Sequence, residues 1–162
     1  MYSVENFIAS FEKETSVCLR LFAKIPPGGL DYRPTAGQRS TTELLRYLGF
    51  GPYNGVRRIV AGDWNIGKPT GEVTKDVPPS DFPRQMAWQS AEVARLVRAA
   101  DPISLVTGEI TFPWGDTLKR GPALVTYPLN WLSSYRMQLF LYLKAAGATQ
   151  LATPDLWHNK AP

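Results

Sequence analysis

The two residue types that most often build reactive centres are nearly missing from this chain. Its one cysteine, Cys18, has no partner for an intramolecular disulfide and cannot build a cysteine metal cage. Its one histidine, His158, stands near the C-terminus and excludes any two- or three-histidine metal site made within one chain. Long apolar runs are missing too. The longest stretch of strongly apolar residues is Leu139 to Leu143, whereas a membrane span takes about 20. Met1 to Ser10 carries Glu5 among its apolar residues and has no cationic region ahead of an apolar run, so it does not read as a signal peptide. A nucleophile elbow, a phosphate-binding glycine loop and a Ser/His/Asp constellation are absent. These absences predict a cytoplasmic protein with no membrane partner, no cofactor, no metal and no recognisable catalytic residue.

What is present is the composition of a folded domain. The 162 residues are 44% hydrophobic and 20% charged, enough for one domain over 1–162 with a real core. The 18 Lys+Arg exceed the 14 Asp+Glu for a net charge of +4. The basic residues are spread as pairs such as Arg57-Arg58 and Lys119-Arg120, each with acidic residues nearby. A nucleic-acid footprint needs a clustered stripe, so no nucleic-acid partner is expected.

Periodicity predicts four helices. Val4, Phe7, Ile8, Phe11, Val17, Cys18, Leu21 and Phe22 recur at helical spacing, with Ser3 placed to cap and Ile25-Pro26-Pro27-Gly28-Gly29 to stop the helix. Leu30 to Arg39 reads as a loop. Ser40-Thr41-Thr42-Glu43 fits a capping box at the head of a second helix carrying Leu44, Leu45 and Leu48. Pro52 then either kinks that helix on its way to about Ala61 or breaks it.

Gly62 to Pro79 reads as a long surface connection. A third helix is predicted from Ser80 to about Ala100, with Met86, Ser90, Val93, Ala94 and Val97 inward. Glu109 to Lys119 reads as a short extended excursion turning at Trp114-Gly115-Asp116, too short for a sheet of its own. The fourth helix is predicted from Pro122 to about Ala146, kinked at Pro128 and stopped by Gly147. Its apolar face includes Leu124, Trp131, Tyr135, Leu139, Tyr142 and Leu143. Leu151, Leu156 and Trp157 in the tail are expected to pack on the bundle.

In this order and spacing, three segments carry a resemblance. They are Leu30-Asp31-Tyr32-Arg33-Pro34 leading to Arg39-Ser40-Thr41-Thr42-Glu43-Leu44-Leu45, the turn Thr111-Phe112-Pro113-Trp114-Gly115, and Asn130 to Gly147. Together they resemble the DinB/YfiT-like superfamily of four-helix bundles over nearly the whole chain. The resemblance implies an all-α fold with a long connection between helices 2 and 3 and a short extended excursion before helix 4. Members typically hold a divalent metal with three histidines, one in the second helix and two spaced His-x-x-x-His in the last. The matching positions here are Tyr47, Trp131 and Tyr135. Indole offers no acceptor nitrogen and a neutral phenol is a poor ligand, so the family's metal chemistry does not carry over.

Two readings of the vacated positions stay open. Tyr47, Trp131 and Tyr135 either fill the space as core or line an aromatic pocket for a small organic molecule, with Arg136 and Gln138 as the polar residues beside them. Arg136 and Gln138 otherwise bridge or cap helices. Cys18 is expected to be buried and inert, His158 to be solvated, and Glu43 to be engaged as a cap rather than paired with Asp31 or Asp63 for acid–base work. The functional expectation is a metal-free DinB-like protein binding a small organic ligand or a protein partner. The alternative is a DinB-like transferase or hydrolase with non-standard or no metal ligation. A homodimer is expected through a face carrying Tyr53, Val56 and Ile59.

Overall fold

The computed structural model describes residues 3–157. The first helix, α1 (Val4–Phe22), starts as its sequence dictates, with the Ser3 hydroxyl accepting from the Asn6 N–H at 3.1 Å. Its buried stripe holds Phe7, Ile8, Phe11, Val17, Cys18 and Leu21. The second helix, α2 (Thr41–Leu48), opens on the expected capping box. Ser40 Oγ accepts from the Glu43 N–H at 3.3 Å, and the Glu43 carboxylate accepts from the Ser40 N–H at 2.7 Å.

Pro52 breaks the second column rather than kinking it, and the break falls ahead of the proline. A separate helix, α3 (Gly51–Ala61), carries Pro52 in its first turn. Pro52 has no N–H for the Leu48 carbonyl, and the Tyr53 N–H opens a helix with no turn behind it. Gln89 serves both groups. It lies fully buried on α5 (Phe82–Ala99), where its Nε2 donates to the Leu48 carbonyl at 2.9 Å and its Oε1 accepts from the Tyr53 N–H at 3.1 Å. Gly49 faces α5 closely: a Cβ there would sit 2.6 Å from Gln85 Oε1, so that side chain would have to swing aside.

The restart at Gly51 also sets which face of α3 is buried. Pro52, Val56 and Ile59, at i, i+4 and i+7, all point inward, and Val56 and Ile59 are completely buried. The face on which self-association was expected is therefore core, and only Tyr53 of the three reaches solvent.

The connection from 62 to 79 contains α4 (Thr70–Thr74) and leads into a 3-10 turn at Pro79–Asp81. Polar side chains of α3 hold it in place. Asn54 Nδ2 donates to the Lys68 carbonyl at 3.2 Å and to Thr70 Oγ1 at 3.3 Å, and Arg58 Nε donates to the Ile66 carbonyl at 3.1 Å. Past α5, a helix that periodicity did not reveal, α6 (Pro102–Thr107), is capped by Asp101, whose carboxylate accepts from the N–H groups of Ile103 and Ser104. The excursion that follows does form a sheet. Strands β1 (Glu109–Thr111) and β2 (Thr117–Lys119) pair antiparallel with Ile110 opposite Leu118. Two strands alone are marginal, and burial of Ile110 and Phe112 against the bundle anchors them.

The last column is α7 (Arg120–Leu124), a π-helical turn at Val125–Leu129 holding Pro128, and α8 (Asn130–Ala145). The predicted kink is thus a widened turn, which absorbs the missing N–H and the bulk of the proline ring. Gly147, at φ +110°, ends the column, and the Ala148 N–H reaches back to the Leu143 carbonyl at 2.9 Å. This is the Schellman arrangement, and its left-handed residue favours glycine. Leu151 and Leu156 are buried as expected, and α9 (Pro154–Trp157) is pinned by Asp155 to Lys24 at 2.5 Å. His158 lies outside the described residues.

α1 packs against α5 and α8, α3 against α5, and α2 against α8, so four columns enclose one core. The fold is a mostly helical bundle with one small hairpin. No described helix is long and apolar enough to cross a membrane.

Candidate functional site

Packing of α2 on α8 brings Tyr47, in the last turn of α2, against Tyr135. The rings meet edge to face with centroids 4.8 Å apart. Arg39, from the loop before α2, lays its guanidinium carbon 4.6 Å from the Tyr47 ring centre and 5.6 Å from that of Tyr135. A cation so close to two ring centres is held favourably by the ring quadrupoles. Burial, and then the neighbouring Tyr135 phenol, push the Tyr47 hydroxyl up to about 12. Tyr47 therefore keeps its proton at neutral pH and acts as a hydrogen-bond donor.

Trp131, one turn before Tyr135, takes different neighbours. Its ring contacts are with Trp64 at 6.1 Å and Tyr127 at 5.6 Å, inside a cluster completed by Phe112 and Trp114. Asp116 ties that cluster together, accepting from the Tyr127 hydroxyl at 2.5 Å and the Trp114 indole at 3.1 Å. Two glycines of α3 link the two aromatic groups. A Cβ at Gly51 would lie 3.0 Å from the Tyr47 ring, and one at Gly55, a turn later, 2.9 Å from the Trp131 ring. The three residues singled out by their positions thus border one glycine face of α3, with Tyr47 and Tyr135 at one end and Trp131 at the other.

Arg136 and Gln138 do not join them. Arg136 is almost completely buried on another face of α8, in ion contact with Glu14 at 2.9 Å, donating to the Leu156 carbonyl and to Ser133 Oγ, and lying over the Trp157 ring. Residue 136 follows Tyr135 by about 100° around the helix, which turns it toward α1 and the tail. It is a bridge between elements. Burial raises the pKa of Glu14 despite the attraction of Arg136. Cys18, one turn along α1, is fully buried, and burial drives its thiol pKa upward, so it is not a poised nucleophile. Gln138 donates to the Tyr142 hydroxyl at 2.6 Å and props a ring that meets Tyr32 edge to face.

The donor set at 47, 131 and 135 does not fit a divalent metal. It consists of an indole and two phenols, one of them held firmly protonated. Among the described residues no group of three or more His, Cys, Asp or Glu side chains could hold an ion. Glu43 is committed elsewhere, its carboxyl kept below the usual range by the Ser40 N–H and then by Arg33 at 2.8 Å.

Beside the tyrosine pair opens a cleft of about 620 Å³ with Tyr47 in its wall. Five cationic side chains line it, Arg33, Arg39, Arg46, Arg58 and Lys75, against the one carboxylate of Glu43. Arg33 is taken by Glu43. Among the described residues Arg39, Arg46 and Arg58 have no carboxylate within ion-pair distance. Each is instead positioned by something neutral: Arg39 by the two rings, Arg46 by its Nε donating to the Val77 carbonyl at 2.7 Å, and Arg58 by the Ile66 carbonyl and the face of Trp64. Burial, then repulsion from Arg57, lowers the pKa of Arg58 despite the attraction of Asp63.

Five of the 18 basic residues, dispersed along the chain, therefore converge in space. One signal was available: Glu43, Arg46 and Tyr47 stand at i, i+3 and i+4 on one face of α2, and Arg39 lies just ahead of its Ser40 cap. Arg58 and Lys75 join only through the fold of the connection.

A crystal structure of a DinB-like protein from Bacillus subtilis, YjoA, superposes on this bundle with a TM-score of 0.67, covering 87% of this chain and 92% of that one at 15% identity. The chain has the DinB-like fold. No family model and no curated protein matches the sequence. The DinB-like bundle thus persists here at an identity too low to carry an activity across, and function rests on the site itself.

Proposed function

We propose that this DinB-like chain is a metal-free binding protein for a small organic anion, held in the cleft beside the Tyr47–Tyr135 pair. The observation that carries the reading is the set of three guanidiniums, Arg39, Arg46 and Arg58, that line one concave site, none of them with a described carboxylate within ion-pair distance. Hydrogen bonds between charged groups contribute about 1.5–3 kcal/mol each, so even two such contacts make a useful anchor. Tyr47 supplies an aromatic wall for the ligand's apolar part to pack against. The metal-dependent transferase or hydrolase reading would need imidazole or carboxylate ligands where indole and phenol stand.

The test is a thermal-shift series with benzoate, phenyl phosphate and the neutral benzamide on the wild-type chain and on Arg39→Gln. The anions should raise the melting temperature and benzamide should not, and Arg39→Gln should abolish most of the shift. Equal shifts with the neutral ligand, or none with any anion, contradict the reading.

A further inference from the structure

The geometry points to a phosphoryl group as the anionic part of the ligand, an inference that rests on the cleft being an anion site. A carboxylate has two oxygens in one plane and is satisfied by a single guanidinium presenting two parallel N–H groups. This cleft offers something different. Arg39 comes from the loop ahead of α2, Arg46 from the last turn of α2, Arg58 from α3 and Lys75 from the end of α4, so the cations approach from separate elements and separate directions. A tetrahedral group with three terminal oxygens can accept from several such donors at once.

The charge count favours the same group. Five cations less the Glu43 carboxylate leave a formal +4 in the cleft (5 − 1 = 4). One monocarboxylate neutralises a quarter of that, whereas a phosphate monoester carries about −1.5 to −2 at pH 7. The cleft also supplies a neutral donor. Thr70 Oγ1 accepts a hydrogen bond from Asn54 Nδ2 at 3.3 Å, which leaves its own O–H to donate into the cleft that it lines. Arg58 further connects the site to a reporter, because its guanidinium lies 5.2 Å from the Trp64 ring centre.

Calorimetric titration of the wild-type chain with phenyl phosphate, inorganic phosphate and benzoate tests the inference, repeated at about pH 5 and pH 7. A phosphate monoester gains its second charge with a pKa near 6, whereas a carboxylate is already ionised at the lower pH and arginine does not titrate. Phenyl phosphate should bind about tenfold or more tightly than benzoate at pH 7, a 1.4 kcal/mol preference, and should weaken several-fold at pH 5 while benzoate holds steady. Lys75→Gln, at an exposed side chain whose ion-pair neighbour is Asp76 at 4.0 Å, should weaken phenyl phosphate by a clearly larger factor than benzoate. Trp64 emission should shift on binding.

Inorganic phosphate binding as tightly as phenyl phosphate would support the phosphoryl site and identify the free ion as sufficient. Benzoate binding as tightly as phenyl phosphate, with no pH dependence for either, overturns this inference while leaving an organic-anion site in place. Absence of binding by all three overturns both.

Discussion

Gln89 shows how much one side chain decides in this fold. A glutamine on the inner face of a helix contradicts simple apolar patterning, yet its amide satisfies the two backbone groups that the α2–α3 break leaves open. Gln89→Met keeps the bulk and removes both hydrogen bonds, stranding a carbonyl and an N–H at about 1–3 kcal/mol each. Urea denaturation should therefore show a loss of at least about 2 kcal/mol. A loss under about 0.5 kcal/mol would mean that the break is satisfied by solvent. Arg136 makes the complementary point. It follows a matched site position in sequence, but its place on the helix turns it toward Glu14 and the Leu156 carbonyl, so burial there is structural. Arg39 is the opposite case, an exposed loop residue whose guanidinium is held, among the described residues, by two rings.

At the scale of elements, α3 and α8 approach through glycine. At Gly55 an added Cβ would meet the Trp131 ring at 2.9 Å and the Pro128 ring at 3.2 Å. Both neighbours are stiff, so Gly55→Ala should cost about 1–3 kcal/mol by overpacking. Trp131→Leu in the same chain should recover part of that loss, and a double-mutant cycle of thermal melts measures the coupling. Strict additivity of the two changes would contradict the close approach.

The elements that sequence made legible are those with local signals: the Ser3 and Ser40 caps, the inner stripe of α1 and the glycine stop at 147. Pro52 foretold a disruption but not its position, because the break is completed by a side chain from α5. The short helix α6 carries an Asp-Pro start and only six residues, too few for a period to register. The hairpin needed the bundle surface beneath it. Of the site, the Tyr47–Tyr135 pair was legible from matched positions. The cationic cleft was not, since Arg39, Arg46, Arg58 and Lys75 span loop, helix and connection, and their convergence is a product of tertiary structure.

The whole molecule is a bundle of DinB-like fold that carries aromatic rings at 47, 131 and 135 and opens beside Tyr47 a cleft lined by five cations and one carboxylate, which we propose takes an anion in place of a metal. The most direct test is the melting temperature of the wild-type chain with micromolar zinc or nickel on one side and phenyl phosphate on the other. A ligand at a hundredfold excess over its Kd stabilises the folded state by about 2.7 kcal/mol. For a chain of this length that corresponds to a rise of roughly 5–10 °C. Phenyl phosphate should produce such a rise and the metals should leave the transition unmoved. A transition raised by zinc or nickel and indifferent to phenyl phosphate would contradict the account and bring the metal-dependent enzyme reading forward.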